Sequence, residues 1–293
     1  TILFFGFLIE SVNAYTNYGG GNCGCDSCSD CTDALNDNAC SNVKLTTDIT
    51  NHDGTCIDNP ENFNNKIFDC QGHKIDGTYT WPSYVSYGIY LYNKQNNTIR
   101  NCVITDFYRG IYLYYSSNNT LTGNNASSNS YGIYLSSSSY NSLIGNNASS
   151  NNYYGIYLGS SSYNSLIGNN VNSNNYVGIV LNSSSNNVLT GNNANSNNYV
   201  GIALDSSSHN TLTRNNASSS YIGVGFYYSS HNTLTGNNAN SNYIGIGLGY
   251  SSHNTLTGNN ANSNAYGIYI VGNSNFNKIL NNEISNNTET GIT

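Results

Sequence analysis

From residue 87 onward the chain repeats one pattern of apolar and polar positions at a nearly fixed interval. A phrase Tyr-Gly-Ile-Tyr-Leu, or a close variant of it, recurs with its glycines at 88, 110, 132, 155, 178, 201, 223, 245 and 267, a period of 22 or 23 residues. A second phrase, Asn-Thr-Leu or a variant, keeps step with it from Asn97 through Asn119, Asn141 and Asn164 to Asn277. Within each unit the apolar residues alternate, as Ile133 and Leu135 do around Tyr134, which is the period of a strand with one face buried. The units contain no helical stripe. Each therefore predicts two or three very short strands joined by Ser/Asn-rich turns, and a repeat of this length suits one rung of a parallel β-helix.

In such a solenoid successive rungs lie about 4.8 Å apart, so equivalent positions form columns. Ile89, Ile111, Ile133, Ile156, Ile179, Ile202, Val224, Ile246 and Ile268 predict one inward column, and Leu91 through Ile270 a second. The first Asn of each Gly-Asn-Asn turn (Asn124, Asn146, Asn169, Asn192, Asn237, Asn259) predicts a ladder of stacked amides that satisfies buried turn groups. The expectation is an all-β solenoid of about ten rungs over residues 61–293. These phrases, with the opening Phe-Asp-Cys-Gln-Gly-His-Lys-Ile-Asp-Gly at 68–77, resemble the secreted right-handed parallel β-helix repeat proteins, especially the NosD-like group of periplasmic copper-binding type. The resemblance covers roughly residues 42–293. It implies a right-handed solenoid and, for that group, copper handling, but the same fold hosts lyases, hydrolases, epimerases, adhesins and surface proteins.

The flanking segments differ. Residues 1–14 hold an apolar run too short to span a bilayer, followed by small residues, and read as the remnant of a secretory signal; the rival is a retained apolar strand or helix. The chain stops inside what reads as a further repeat. Residues 15–60 form a Cys-rich cap holding Cys23, Cys25, Cys28, Cys31, Cys40 and Cys56. Behind a secretory signal an even cysteine count points to disulfides, with a thiolate site for copper(I) or zinc as the alternative. Cys70 and Cys102 stand three residues after Ile67 and Ile99, and are expected in one column, bonded or stacked.

Charge narrows the chemistry. Fifteen acidic and eight basic side chains give a net charge of -7, and with no basic stripe a nucleic-acid role is excluded. The chain is only 8% charged, yet its 27 Tyr and 8 Phe supply enough apolar surface to fold. From Gly110 to Leu204 there is no charged side chain and no His, so no general acid, base or carboxylate metal site can be built there. Asp69 and Asp76 are the nearest carboxylate candidates, each better read as a turn residue, while Asp205 and Arg214 are solitary.

Two columns carry candidate chemistry. His209, His231 and His253 occupy one position on three successive rungs, where they could share copper or zinc or simply stack. Tyr153, Tyr176, Tyr199, Tyr221 and Tyr243 stand two residues before successive glycines, as an aromatic strip for sugar rings or a stiffening ladder. Asn96, Asn118, Asn125, Asn147, Asn182, Asn216 and Asn286 lie in glycosylation sequons. The expected protein is therefore secreted, extracellular or on the cell surface. It is a non-enzymatic structural or adhesive β-helix whose partners are surface glycans or further copies, added end to end as filaments or laterally, with no nucleic acid and no stable membrane span. No cofactor is expected, and NosD-like copper handling and a polysaccharide lyase or hydrolase are the alternatives.

Overall fold

A computed structural model describes residues 15–79 and 85–293; the segment read as a signal remnant lies outside them. The chain winds as a parallel β-helix of right-handed type with about twelve turns. Each turn contributes to three faces. Six-residue strands such as Tyr131–Ser136 and Tyr154–Gly159 form most of an eleven-stranded sheet, and three-residue strands such as Thr120–Thr122 form most of a thirteen-stranded one. The third face begins as Ile49–His52, Lys74–Gly77 and Val103–Thr105, then continues as single bridges from Val103–Asn125 to Asn260–Glu283. Register follows the repeat: Ile133 lies over Ile156 and Leu135 over Leu158, and the predicted Ile and Leu columns are buried from end to end apart from the half-buried Ile270.

The turn count exceeds the expected ten because pairing starts inside the Cys-rich segment. Asn22–Cys25 already pairs in parallel with Asn42–Leu45, Asn42 faces Ile67, and Ile67 faces Thr98. Those steps depart from 22 or 23 residues and so escape a search at a fixed period. The same segment holds a helix, Cys28–Asn36, capped by the Ser27 hydroxyl accepting from the Asp30 amide. All eight cysteines are paired: Cys23–Cys40, Cys25–Cys31, Cys28–Cys56 and Cys70–Cys102. The last bridge forms as expected, but the register behind it differs. Phe68, not Ile67, lies over Ile99, and Ile67 faces Thr98 instead, because the strand turns Phe68 inward where it is fully buried.

The corners are held by polar ladders. Asn124 donates its amide to Ile99 O and to Asn146 Oδ1, Asn146 does the same to Leu121 O and Asn169 Oδ1, and the series passes through Asn215, which follows Arg214 rather than a glycine. Three further ladders run beside it: Asn119–Asn141–Asn164 and onward, Asn129–Asn151–Asn174, and Ser116–Ser138–Ser161. Each corner would otherwise bury unpaired backbone N–H and C=O groups. The repeat glycines serve the same tight stacking. A Cβ on Gly155 would lie 2.6 Å from Ala148 O and 2.7 Å from Asn174 Nδ2, so only hydrogen fits.

Asp69 shows why the first turns carry charge. Its carboxylate accepts from Gln71 N, Asn101 Nδ2 and Arg100 Nε. Burial raises its pKa, but these donors outweigh burial and hold it below the usual carboxylate range. A carboxyl lowered on folding stabilises above its unfolded pKa of about 3.9 and loses that contribution as pH falls through the lower folded value. Urea titrations of the wild type and Asp69→Asn should therefore differ at pH 6 and converge below about pH 4; a constant gap across that range would refute the assignment.

Candidate functional site

The outward face of the long-strand sheet carries three columns of side chains. The middle one reads Tyr90, Tyr112, Tyr134, Tyr157, Val180, Ala203, Gly225, Gly247 and Tyr269. Large rings pave the first rungs, shrink to nothing, and return. The missing side chains leave a groove of about 350 Å³, floored by Ala203, Gly225 and Gly247, walled by Val200, Ile222 and Ile244, and rimmed by Tyr199, Asp205, Tyr227 and Tyr269. Backbone geometry does not demand these two glycines. A Cβ on Gly225 or Gly247 would meet its nearest neighbour at 3.5 Å, an ordinary contact, whereas the repeat glycines have no such room. A second recess of about 390 Å³ lies further back along the axis, between Tyr131, Asn152, Tyr153, Tyr154, Asn175 and Tyr176.

The Tyr column predicted from sequence is only partly such a surface. Tyr176, Tyr199, Tyr221 and Tyr243 stack face to face at 4.9–5.8 Å with interplanar angles of 4–11°. Their faces cover one another, so solvent meets ring edges and hydroxyls rather than a flat strip. Tyr153 leaves the stack and lies on Tyr131 instead, 5.6 Å between centroids. What that column offers is therefore the rim of the two recesses, through Tyr153, Tyr176 and Tyr199.

The His column is likewise a stack. His209 and His231 lie 5.1 Å apart at 8°, His231 and His253 4.9 Å at 16°, and Phe276 continues the pile at 5.0 Å. These exposed residues sit at φ of 58–60°, a left-handed conformation uncommon for them, and the stacked rings offset part of its cost. Imidazole lone pairs lie in the ring plane, so parallel rings point their nitrogens side by side rather than at one ion. Among the described residues no group of three His, Cys, Asp or Glu is disposed to hold a metal. With every cysteine in a disulfide and no Met in the chain, soft donors are lacking too. The donors present do not fit a copper centre.

One carboxyl pair was not foreseen. Asp76 accepts from Lys74 Nζ at 2.7 Å and from the Thr105 hydroxyl at 2.5 Å, and it neighbours Asp106 on the next rung. Burial raises Asp76, but Lys74 and Thr105 bring it below its ordinary value, while burial and the Asp76 charge push Asp106 up. The two lie 30 positions apart in the irregular first turns, so no repeated spacing marks them. Among the sequons, Asn147 and Asn216 already donate their amides to Asn125 and Asn193, and Asn96 donates to Asn65; Asn118 and Asn286 are exposed at positive φ, and Asn182 closes a long strand.

The sequence matches the family described as periplasmic copper-binding protein (NosD) over residues 33–195 and 170–292. No curated protein matches it. Several solved structures share the fold. The A-module of the Azotobacter vinelandii mannuronan C-5 epimerase AlgE6 superposes with a TM-score of 0.65 at 15% identity, over 85% of this chain and 76% of that one. The periplasmic alginate epimerase AlgG gives 0.62 at 15%, over 92% and 80%. The Dettilon tailspike protein gives 0.53 at 17%, over 78% and 58%.

Proposed function

The chain belongs to the NosD family of periplasmic copper-binding proteins, and from there we propose that it is a non-enzymatic β-helix that binds an extended carbohydrate chain along its long-strand face. The observation that carries this reading is the alignment of two Tyr-rimmed recesses along the solenoid axis, one floored by Gly225 and Gly247 and the other edged by Asn152 and Asn175. Apolar floors with hydroxyl and amide rims suit sugar rings, whose carbon-bound hydrogens pack on aromatic and aliphatic surface while their hydroxyls reach the polar edge. Six rung steps separate Tyr131 from Tyr269, about 29 Å, the length of an oligosaccharide rather than of one small molecule. Asp205 is the one ionisable carboxylate around either recess, which supports holding a sugar chain over cleaving one. Four disulfides and membership of a periplasmic family fit a place outside the cytosol, and no helix among the described residues is long and apolar enough to cross a membrane.

Filling the groove tests the reading. Tyr already occupies the same column at 134 and 269, so Gly225→Tyr with Gly247→Tyr is expected to fold. Isothermal titration against a panel of neutral and acidic oligosaccharides should show saturable binding by the wild type, weakened at least tenfold in the double variant, a loss of about 1.4 kcal/mol. Unchanged affinity in a folded double variant, or no binding by the wild type, would overturn it. The pairing of Asp76 with Asp106 favours a second reading, a polysaccharide-active enzyme using two carboxyls of separated acidity. Turnover of a polysaccharide that is abolished in Asp106→Asn would establish that one.

A further inference from the structure

Arg109 opens its strand at a position where the adjoining rungs carry Tyr87 and Tyr131. Its guanidinium carbon lies 4.3 Å from the ring centroid of Tyr134, 4.4 Å from Tyr112, 5.0 Å from Tyr108, 5.6 Å from Tyr87 and 5.7 Å from Tyr131. Aromatic faces attract a cation but accept hydrogen bonds poorly. Its guanidinium donates to the Tyr87 hydroxyl at 3.3 Å and to the Tyr134 hydroxyl, which leaves part of its five N–H donors unused, and Nε is buried with no hydrogen-bond partner among the described residues. The ion pairs among the described residues join His73 to Asp48, Lys74 to Asp76 and Arg100 to Asp69, and none includes Arg109. Packing does not call for arginine here, since Tyr, Val and Ile fill the same column on other rungs. The cage also adjoins the second recess, because Tyr131 belongs to both.

The geometry points to Arg109 as a subsite for an oxyanion carried on a sugar ring, a carboxylate or a sulfate ester, at the end of the carbohydrate track. This rests on the carbohydrate reading above and adds the class of sugar. A guanidinium presents paired donors that match an oxyanion in two parallel hydrogen bonds, and its aromatic walls keep out the water that would weaken them. The surrounding phenols do not oppose an anion. Burial raises Tyr112 to about 12 against the lowering effect of Arg109, so at neutral pH its hydroxyl stays protonated and able to donate.

The chain holds three arginines, Arg100, Arg109 and Arg214, so each Nε–H resonance can be assigned by replacing them one at a time. We expect the Arg109 signal to shift saturably with sodium glucuronate or with glucose 6-sulfate and not with glucose, the anion acting at lower concentration identifying the group recognised. Arg109→Tyr copies the adjoining rungs and should fold; it is expected to lose a preference of about tenfold for acidic over neutral oligosaccharides while keeping its affinity for neutral ones. An Arg109 signal unmoved by both anions, or a preference retained in Arg109→Tyr, overturns the subsite. A shift with glucuronate in a protein that binds no oligosaccharide would leave the subsite standing and sink the reading of the recesses.

Discussion

Replacing Asn169 by alanine is expected to cost about 3–5 kcal/mol, more than the loss of any single apolar contact on the outer faces. The side chain is fully buried. Its Oδ1 accepts from Asn146 N and Nδ2, and its Nδ2 donates to Leu143 O at 2.9 Å and to Asn192 Oδ1 at 2.8 Å. Alanine would leave the Asn146 backbone N–H unpaired away from water and take one partner each from the Leu143 carbonyl and the Asn146 side-chain amide, which keeps Leu121 O, each such loss costing about 1–3 kcal/mol, less what relaxation recovers. Asp in its place is expected to be worse, because a carboxylate cannot donate to Asn192 and brings an unpaired charge into the corner. Urea unfolding measures the total, and amide exchange on the rungs either side locates it. A loss below about 1 kcal/mol would mean that water replaces the amide and that the ladder is not what closes the corner.

Two glycines in the same solenoid should respond very differently to one added methyl group. For Gly155→Ala the new carbon meets Val171 Cγ1 and the Asn174 amide nitrogen of the following rung and the Ala148 carbonyl oxygen of its own turn, all under 3 Å. Relief requires moving a rung, so a loss of about 4 kcal/mol or failure to fold is expected. For Gly225→Ala the nearest atom is Ile222 Cγ2 at 3.5 Å and the face is open, so stability should change by no more than about 0.5 kcal/mol. Thermal melts of the two variants side by side test the difference, and equal effects would refute the claim that the second glycine is there to leave space.

The repeat made the architecture readable from residues alone. Ile133 over Ile156 and the Asn124 ladder follow from a period and a repeated turn, and both are present. The other ladders were hidden because Ser138 and Asn141 look like ordinary turn residues; only the winding of the chain turns their side chains inward. The early turns were hidden by their uneven length, which also displaced the register at Ile67 by one residue. The groove was harder still. Gly225 and Gly247 read as two more glycines in a glycine-rich repeat, and their meaning appears only when Tyr134, Tyr157 and Tyr269 are seen in the same column. The Tyr and His columns were placed on the right rungs, but periodicity does not say whether rings present faces or edges, and stacking decided that.

The ladders have one more property. From Asn119 to Asn254, and from Asn124 to Asn259, each amide donates to the Oδ1 of the following rung and accepts from the preceding one. The side-chain dipoles thus add along the axis, unlike the backbone amides, which point both ways: Thr120 N donates to Asn97 O on the preceding rung and Gly123 N to Ile144 O on the following one. The rod has an electrical sense of direction, and a polymer lying along it meets a different potential travelling one way than the other. A sugar chain, whose two ends are chemically distinct, would be told which way to lie.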